Sequence, residues 1–319
     1  MKDHGIKAIL QLGDLFDRRK YINFYTLKAS KQYFFDPMKE MGVEFHTLLG
    51  NHDVYFKNTL EVNSTQLVLG EYDNVFIYDN PTTINFDGLD VDVIPWICDS
   101  NEKEAVEFIS NSKSEFCAGH FELAGFEMDR GNICHEGWDA VKLSRYEVVF
   151  TGHFHHRSIK NNILYVGSPG EITWADYDDP RGFHVFDTET REIEFVQNPH
   201  TIFRKHIYND EKFFYNDLKT FDFEQYKGKY VKVIIEKKTN TFLFDSFMDH
   251  INRAGPIDLS VVEDFTEINS VGDTADVDQA DDTITIINKV VDGLEIDLNK
   301  SKLKDILRGV YTEAISIES

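Results

Sequence analysis

Hydrophobic and polar positions follow two rhythms over the first two hundred residues, and a similar punctuation interrupts both. Apolar runs of strand length stand at Ala8–Leu12, Val43–Leu49, Glu115–Ala118 and Tyr146–Phe150, each ending within a residue or two of a glycine. Further runs of this kind are Asn74–Tyr78, Leu89–Ile94, Ile163–Val166, Phe183–Phe186 and Ile193–Val196. The last two flank a polar turn, Asp187–Arg191, and predict a hairpin. Helical spacing covers Asn23 to Met41, with a break predicted at Pro37 and a stop at Gly42. A second helix is predicted from Glu102 to about Ser110. Strands alternating with helices are the pattern of an α/β sheet.

The rhythm changes after Asn198-Pro199. A strand over Tyr230–Glu236, a helix over Thr241–Ala254 and a strand over Ile257–Val262 form a small β-α-β accessory unit. Phe244, Phe247, Met248 and Ile251 make one helical stripe, and Gly255-Pro256 stops it. From Glu263 to Thr283 there are eight acidic residues and no basic one, the composition of a solvated linker. Leu303, Ile306, Leu307, Val310, Ala314 and Ile315 then follow helical spacing, with Ser301 as N-cap. This stripe either packs on its own domain or, after so flexible a tether, docks a partner. The predicted division is 1–200 main domain, 201–262 accessory or capping domain, 263–283 acidic linker and 284–319 C-terminal docking segment.

Composition narrows the class. The chain has 319 residues, 41% of them hydrophobic, which is ample for a buried core. No run approaches the roughly 20 apolar residues of a membrane span, so no membrane association is expected. Cys98, Cys117 and Cys134 are scattered, with no disulfide or zinc-finger spacing, and a cytoplasmic setting is expected. The net charge of −23 speaks against nucleic-acid binding by the surface as a whole. Any DNA affinity must come from bound metal ions, a local basic patch or a partner.

The strand endings carry the chemistry. They read Gly13-Asp14-Leu15-Phe16-Asp17, Gly50-Asn51-His52-Asp53, Gly119-His120 and Gly152-His153-Phe154-His155. Ligands of open α/β sheets gather just beyond the carboxyl ends of strands. Carboxylate and amide oxygens mixed with imidazoles suit a manganese-, zinc- or iron-like ion rather than a thiolate-bound structural zinc. Each motif alone is an ordinary turn or cap; four in this order are hard to explain structurally.

Together these residues resemble the signature of the calcineurin-like metallophosphoesterases: D-x-H, GD-x-x-D, GNH-D/E, a lone H and GH-x-H. Ile94-Pro95-Trp96, Gly119–Glu122, Gly167-Ser168-Pro169 and Asp178–Phe183 leading into Phe186–Glu189 look most like the SbcD-type recombination and repair nucleases, the phage-encoded ones in particular. The resemblance implies a four-layer α/β/β/α sandwich with the accessory unit appended. It implies metal-dependent phosphodiester hydrolysis of DNA with two divalent ions, manganese foremost. It also implies a dimeric nuclease core and a coiled-coil ATPase partner of the SbcC type. Asp14 would bridge two ions; Asn51, His120 and His153 would complete one of them, and His155 would serve the other. His52 would face the scissile phosphate as a catalytic residue, with Asp17 orienting it. Arg18 and Arg19, next to the metal loop, are candidate phosphate contacts.

One element is missing from this pattern. No Asp-x-His ending precedes Ala8, and Asp3-His4 lacks both the spacing and the strand. The expectation is an N-terminally truncated domain that holds one ion well and the other poorly, with the edge of Ala8–Leu12 uncovered. Two other readings compete with the nuclease: a noncatalytic scaffold with a vestigial site, and a small-molecule phosphodiesterase or phosphatase.

Overall fold

In a computed structural model, the described residues are 5–129 and 131–262, together with 291, 300, 302–304, 306 and 307. They fall into two compact units: residues 1–170 with 178–198, and residues 171–177 with the chain from 199 onward. The change of unit at Pro199 lies where the polarity pattern shifts. Assignment of Glu171–Tyr177 to the second unit is a finding the sequence pattern does not contain.

The first unit holds two sheets. In the smaller, β1 (Ala8–Gln11), β2 (Glu44–Leu48) and β3 (Val75–Tyr78) run parallel in that spatial order. The larger contains β4 (Thr82–Phe86), β5 (Leu89–Ile94), β6 (Phe116–Gly119), β9 (Val148–Thr151), β10 (Ser158–Lys160) and β11 (Ile163–Tyr165). Its spatial order is β10-β11-β9-β6-β5-β4, parallel in the middle and antiparallel at both edges. Two hairpins accompany it: β7 (Glu127–Asp129) with β8 (Asn132–Ile133), and β12 (Gly182–Phe186) with β13 (Ile193–Gln197). Among the described residues β1 pairs with β2 alone, so its other flank is a sheet edge.

The layering follows from which face of each strand is apolar. Leu12 and Leu48 from the small sheet meet Val91, Val93, Phe116 and Ala118 from the large one. On its other side the small sheet, through Ile9 and Phe45, meets Phe35, Met38 and Leu69. These come from α2 (Asp36–Met41), α3 (Ser64–Leu69) and the turn that joins α1 (Phe24–Ser30) to α2. The far face of the large sheet packs Ile94, Cys117 and Val149 on Ala105 and Ile109 of α4 (Glu102–Asn111). The order helix, sheet, sheet, helix is the expected four-layer sandwich. Each fully buried Phe or Leu in these layers stabilises it by about 2 kcal/mol.

The break expected at Pro37 is absent. Lys31–Phe35 form a π-helical turn that joins α1 to α2, and Pro37 sits in the first turn of α2. Proline cannot donate to the residue four back and its ring crowds that carbonyl, and a widened turn accommodates both effects without ending the helix. Gly42, left-handed at φ 69°, then caps α2 as expected.

In the second unit β14 (Phe203–Asn209), β15 (Tyr230–Lys237) and β16 (Asp258–Val262) form a parallel sheet, with α5 (Thr241–Ala254) crossing from β15 to β16. Asn240 caps α5 by accepting from Leu243 N–H at 3.1 Å, and Gly255 ends it in the left-handed region. The expected stripe packs as read: Phe244, Phe247 and Ile251 are buried against Tyr208, Val231 and Val233, with Met248 beside them. β14 is an addition to the predicted β-α-β unit. Of the C-terminal stripe, Leu303, Ile306 and Leu307 are helical; Ser301, Val310, Ala314 and Ile315 lie outside the described residues, as do the acidic linker and Asp3-His4. No described helix is long and apolar enough to cross a membrane.

Candidate metal centre

The centre lies in the first unit, where the carboxyl ends of β1 and β2 meet those of β6 and β9. Trp96 N–H donates to Leu49 O at 2.7 Å, and His120 Nδ1–H donates to Leu12 O at 2.7 Å. Both bonds run from one sheet to the other.

Two loops of the small sheet interlock around Asp53. Its carboxylate, fully buried, accepts from the backbone N–H of Asp14 (2.7 Å), Leu15 (3.0 Å) and Gly50 (2.8 Å). Asp14 is itself left-handed, at φ 57°. Its Oδ1 accepts from His52 N–H at 2.7 Å, and its Oδ2 lies 3.2 Å from His120 Nε2. Such packing leaves no room for side chains on the neighbouring glycines. A Cβ on Gly50 would fall 2.2 Å from Asp14 Oδ1, and one on Gly13 would fall 2.4 Å from His120 Nδ1.

From the large sheet come His120 and His153, both buried, the latter at a strained φ of 80°. Asn51 Oδ1 lies 2.9 Å from His120 Nε2 and 3.0 Å from His153 Nδ1, and those two nitrogens are 3.2 Å apart. One ligand atom each from Asp14, His120 and His153 falls within 4.8 Å of the others. Trp96 stacks on His153 at 5.3 Å and meets His120 edge-on at 6.0 Å.

The donor set tests whether a cation fits. With Nδ1–H given to Leu12, neutral His120 turns the lone pair of Nε2 toward Asn51 Oδ1 and Asp14 Oδ2, which are acceptors too. Acceptors packed this closely repel unless a positive charge lies among them. Separations of 2.9 to 3.2 Å match the edges of a coordination shell with metal–ligand distances of about 2.1 Å. The residues therefore fit a divalent ion held by Asp14, Asn51, His120 and His153.

Protonation answers the same crowding: Asp14 favours the charged form of His120, whose Nε2–H then points at Asp14 Oδ2, and a bound cation would take that proton's place. Burial would raise the Asp14 carboxyl, but the His120 and His52 imidazoles and the His52 N–H outweigh it and hold it well below the usual range. Burial opposes charge on His120, yet Asp14 outweighs it and raises the imidazole. Burial, reinforced by His120, drops His153 to about 3, keeping it a neutral donor. Burial and the Asp14 charge push Asp53 up to about 6, against its three N–H donors.

The remaining predicted residues are less tightly gathered. His155 is half-buried and stands outside the three-residue group. Its backbone is anchored: His155 O accepts from Ser168 N–H at 3.1 Å and from Arg181 Nη1. Arg181, buried, also holds Asp179 at 2.7 Å, and Asp179 in turn bonds His156 at 2.9 Å. Asp17 is exposed and meets His52 through its backbone carbonyl, which accepts from Nδ1–H at 2.5 Å. Arg18 is exposed, bonded to the Tyr21 hydroxyl and stacked on its ring, while Arg19 is half-buried. Sequence reasoning assigned no task to Asp53, Arg181 or the Leu12 carbonyl. Only Asp53 carried a signal, as the last residue of Gly-Asn-His-Asp.

The calcineurin-like phosphoesterase profile matches residues 1–157, a stretch that contains all four converging loops. Exonuclease subunit 1 of Enterobacteria phage T4 is 36% identical over 271 residues, covering 83% of this chain and 77% of that protein. The chain belongs to the calcineurin-like phosphoesterase family. Within that family's first 157 residues here, the matched segment brings Asp14, Asn51, His120 and His153 to one point. The match to the phage protein extends beyond it.

Proposed function

We propose that this calcineurin-like phosphoesterase is a manganese-dependent DNA nuclease, the hydrolytic subunit of a recombination or repair complex. The observation that carries the reading is the convergence of Asp14, Asn51, His120 and His153 on a single point between two sheets. Divalent ions bound there would polarise the scissile phosphate and supply the water nucleophile. Asp14, through its two oxygens, would serve both ions, and His155 would serve the second.

The chain's own groups set the rest of the chemistry. The Leu12 carbonyl holds the His120 tautomer so that Nε2 faces the centre. Asp53 fixes the Asp14 loop against the Asn51 loop. His52, steered by the Asp17 carbonyl at Nδ1, would carry at Nε2 the proton that the leaving oxygen receives. Arg18 and Arg19, on the same loop, would contact the phosphate backbone.

Partners follow from what the chain lacks and exposes. Its net charge of −23 leaves DNA affinity to the metal centre and to a second subunit. The relative's name, exonuclease subunit 1, supports such a second subunit, for which an SbcC-type ATPase is the proposed identity. Phe24, Tyr25 and Tyr33 on the first helical segment are 88%, 79% and 73% exposed, and Leu67 on α3 is 78% exposed. Exposed apolar surface of this kind supports a homodimer of the nuclease core. A cytoplasmic location completes the proposal.

The test is hydrolysis of linear DNA by the chain with manganese, with and without its ATPase. Activity lost in His52→Ala, with manganese binding intact, is the expected result. Hydrolysis of small phosphodiesters but of no DNA would replace the nuclease with a small-molecule phosphodiesterase. A manganese-loaded chain inert on both, even with the partner, would leave a scaffold.

A further inference from the structure

Directly after the Gly-Asn-His-Asp loop the chain makes a short excursion that the metal chemistry does not use. Val54 bridges to Asn63, and Tyr55 N–H donates to Val62 O at 2.8 Å, closing a loop over the residues between. Its roots are fixed: Val54 is fully buried and Leu60 nearly so, both packed with Leu49 and Trp96. Trp96 is the ring stacked on His153. The loop is thus seated on the wall of the metal centre.

At its outer end Tyr55 and Phe56 remain 44% and 50% exposed, their rings edge to face at 4.8 Å and 79°. Two adjacent aromatic rings at the surface need a reason, since burial of either would be favourable. A protein partner is a poor match in size, because stable interfaces bury about 800 Å² per side and two rings offer a fraction of that. One or two nucleobases match. The chain itself sets the distance: three peptide units separate Tyr55 from His52, so their Cα atoms lie within about 11 Å. A nucleotide whose phosphate lies against His52 places its base over that radius. Exposed Lys57 follows in sequence and adds positive charge.

We propose that Tyr55 and Phe56 form a stacking platform for the unpaired base next to the scissile phosphate. Stacking on a side chain requires a base released from its own duplex. The substrate at the centre is therefore a single-stranded or frayed DNA end, and these two rings contribute to that preference. The inference rests on the nuclease reading above and deepens it.

The experiment compares wild type, Tyr55→Ala/Phe56→Ala and the ring-preserving Tyr55→Phe/Phe56→Tyr on two manganese-supported substrates. One is a single-stranded oligonucleotide; the other is the same strand with abasic residues around the cleavage position. The alanine pair should raise KM for the intact strand about 10- to 100-fold, with kcat changed far less. The ring-preserving pair should restore it, and all three proteins should treat the abasic strand alike. In a His52→Ala background with manganese present, so that the strand is held but not cut, 2-aminopurine in the strand should be quenched when Tyr55 and Phe56 are in place and not when both are alanine. Equal KM values for wild type and alanine pair on the intact strand overturn the platform. So does an equal loss on intact and abasic strands, which marks a loop that only supports the fold. Failure of wild type to cut any DNA overturns the nuclease reading itself, a result distinct from either.

Discussion

Asp92 and Asp14 are both carboxylates set into the first unit, and their surroundings differ in kind. Asp92, fully buried in β5, accepts from the hydroxyls of Thr83 (2.8 Å), Ser114 (2.7 Å) and Tyr146 (2.7 Å). Its neighbours are donors, and the group is complete within the protein. Asp14 instead shares its space with an amide oxygen and imidazole nitrogens whose lone pairs point inward. A buried polar group that finds donors among its neighbours serves the fold. One with an oxygen turned toward other acceptors suits a cation from outside. Burial alone does not tell these apart; the direction of the lone pairs does.

Asp14→Asn should lower manganese-dependent hydrolysis about 1,000-fold or more, beyond the roughly 10- to 100-fold typical of losing an outer partner. Urea unfolding of the metal-free chain should move less than it does for Asp92→Ala, because asparagine keeps an oxygen to accept from His52 N–H and only the attraction to His120 is lost. Asp92→Ala should do the reverse. The buried hydroxyls of Ser114 and Tyr146 and the exposed one of Thr83 lose their acceptor, at a cost of about 3 kcal/mol in unfolding free energy, with activity per folded molecule unchanged. Equal effects of the two variants on both measurements would erase the distinction.

Gly50→Ala probes the geometry between these extremes. Its methyl would fall 2.2 Å from Asp14 Oδ1 and push the carboxylate aside. Manganese affinity, read by titration, should weaken about 10- to 100-fold, the range for disturbing a ligand's support.

His206 supplies the smallest effect. Burial lowers its imidazole to about 4, and it bonds the Tyr226 hydroxyl at 2.8 Å within the second unit. The unfolded chain, titrating near 6.5, takes up the proton first, so this contribution is complete above that pH and is lost as pH falls toward 4. His206→Gln should flatten stability against pH over that window and leave metal binding untouched.

Legibility from sequence tracked how local each cause is. The endings Gly13-Asp14, Gly50-Asn51, Gly119-His120 and Gly152-His153 could be read because each strand-to-loop switch is written in consecutive residues. The α5 stripe was legible for the same reason. β4 carried a signal that went unused: Asp87-Gly88, both at positive φ, turn it into β5. β14 was hidden by Arg204, Lys205 and His206, whose polar heads mask a strand that packs through Phe203 and Tyr208. Membership of Glu171–Tyr177 in the second unit depends on contacts such as Trp174 with Phe203, 4.6 Å between rings, which no local pattern encodes. Asp53 and Arg181 went unassigned because the contacts that give them a task, to the N–H groups of Asp14 and Leu15 and to His155 O, lie far along the chain.

The bond from His120 to the Leu12 carbonyl has a mechanical meaning as well. It couples the orientation of a ligand on one sheet to the position of a strand end on the other, so the centre registers the seam between the layers. A force, mutation or bound molecule that slides the layers by about an ångström would turn the imidazole away from Asp14 and Asn51.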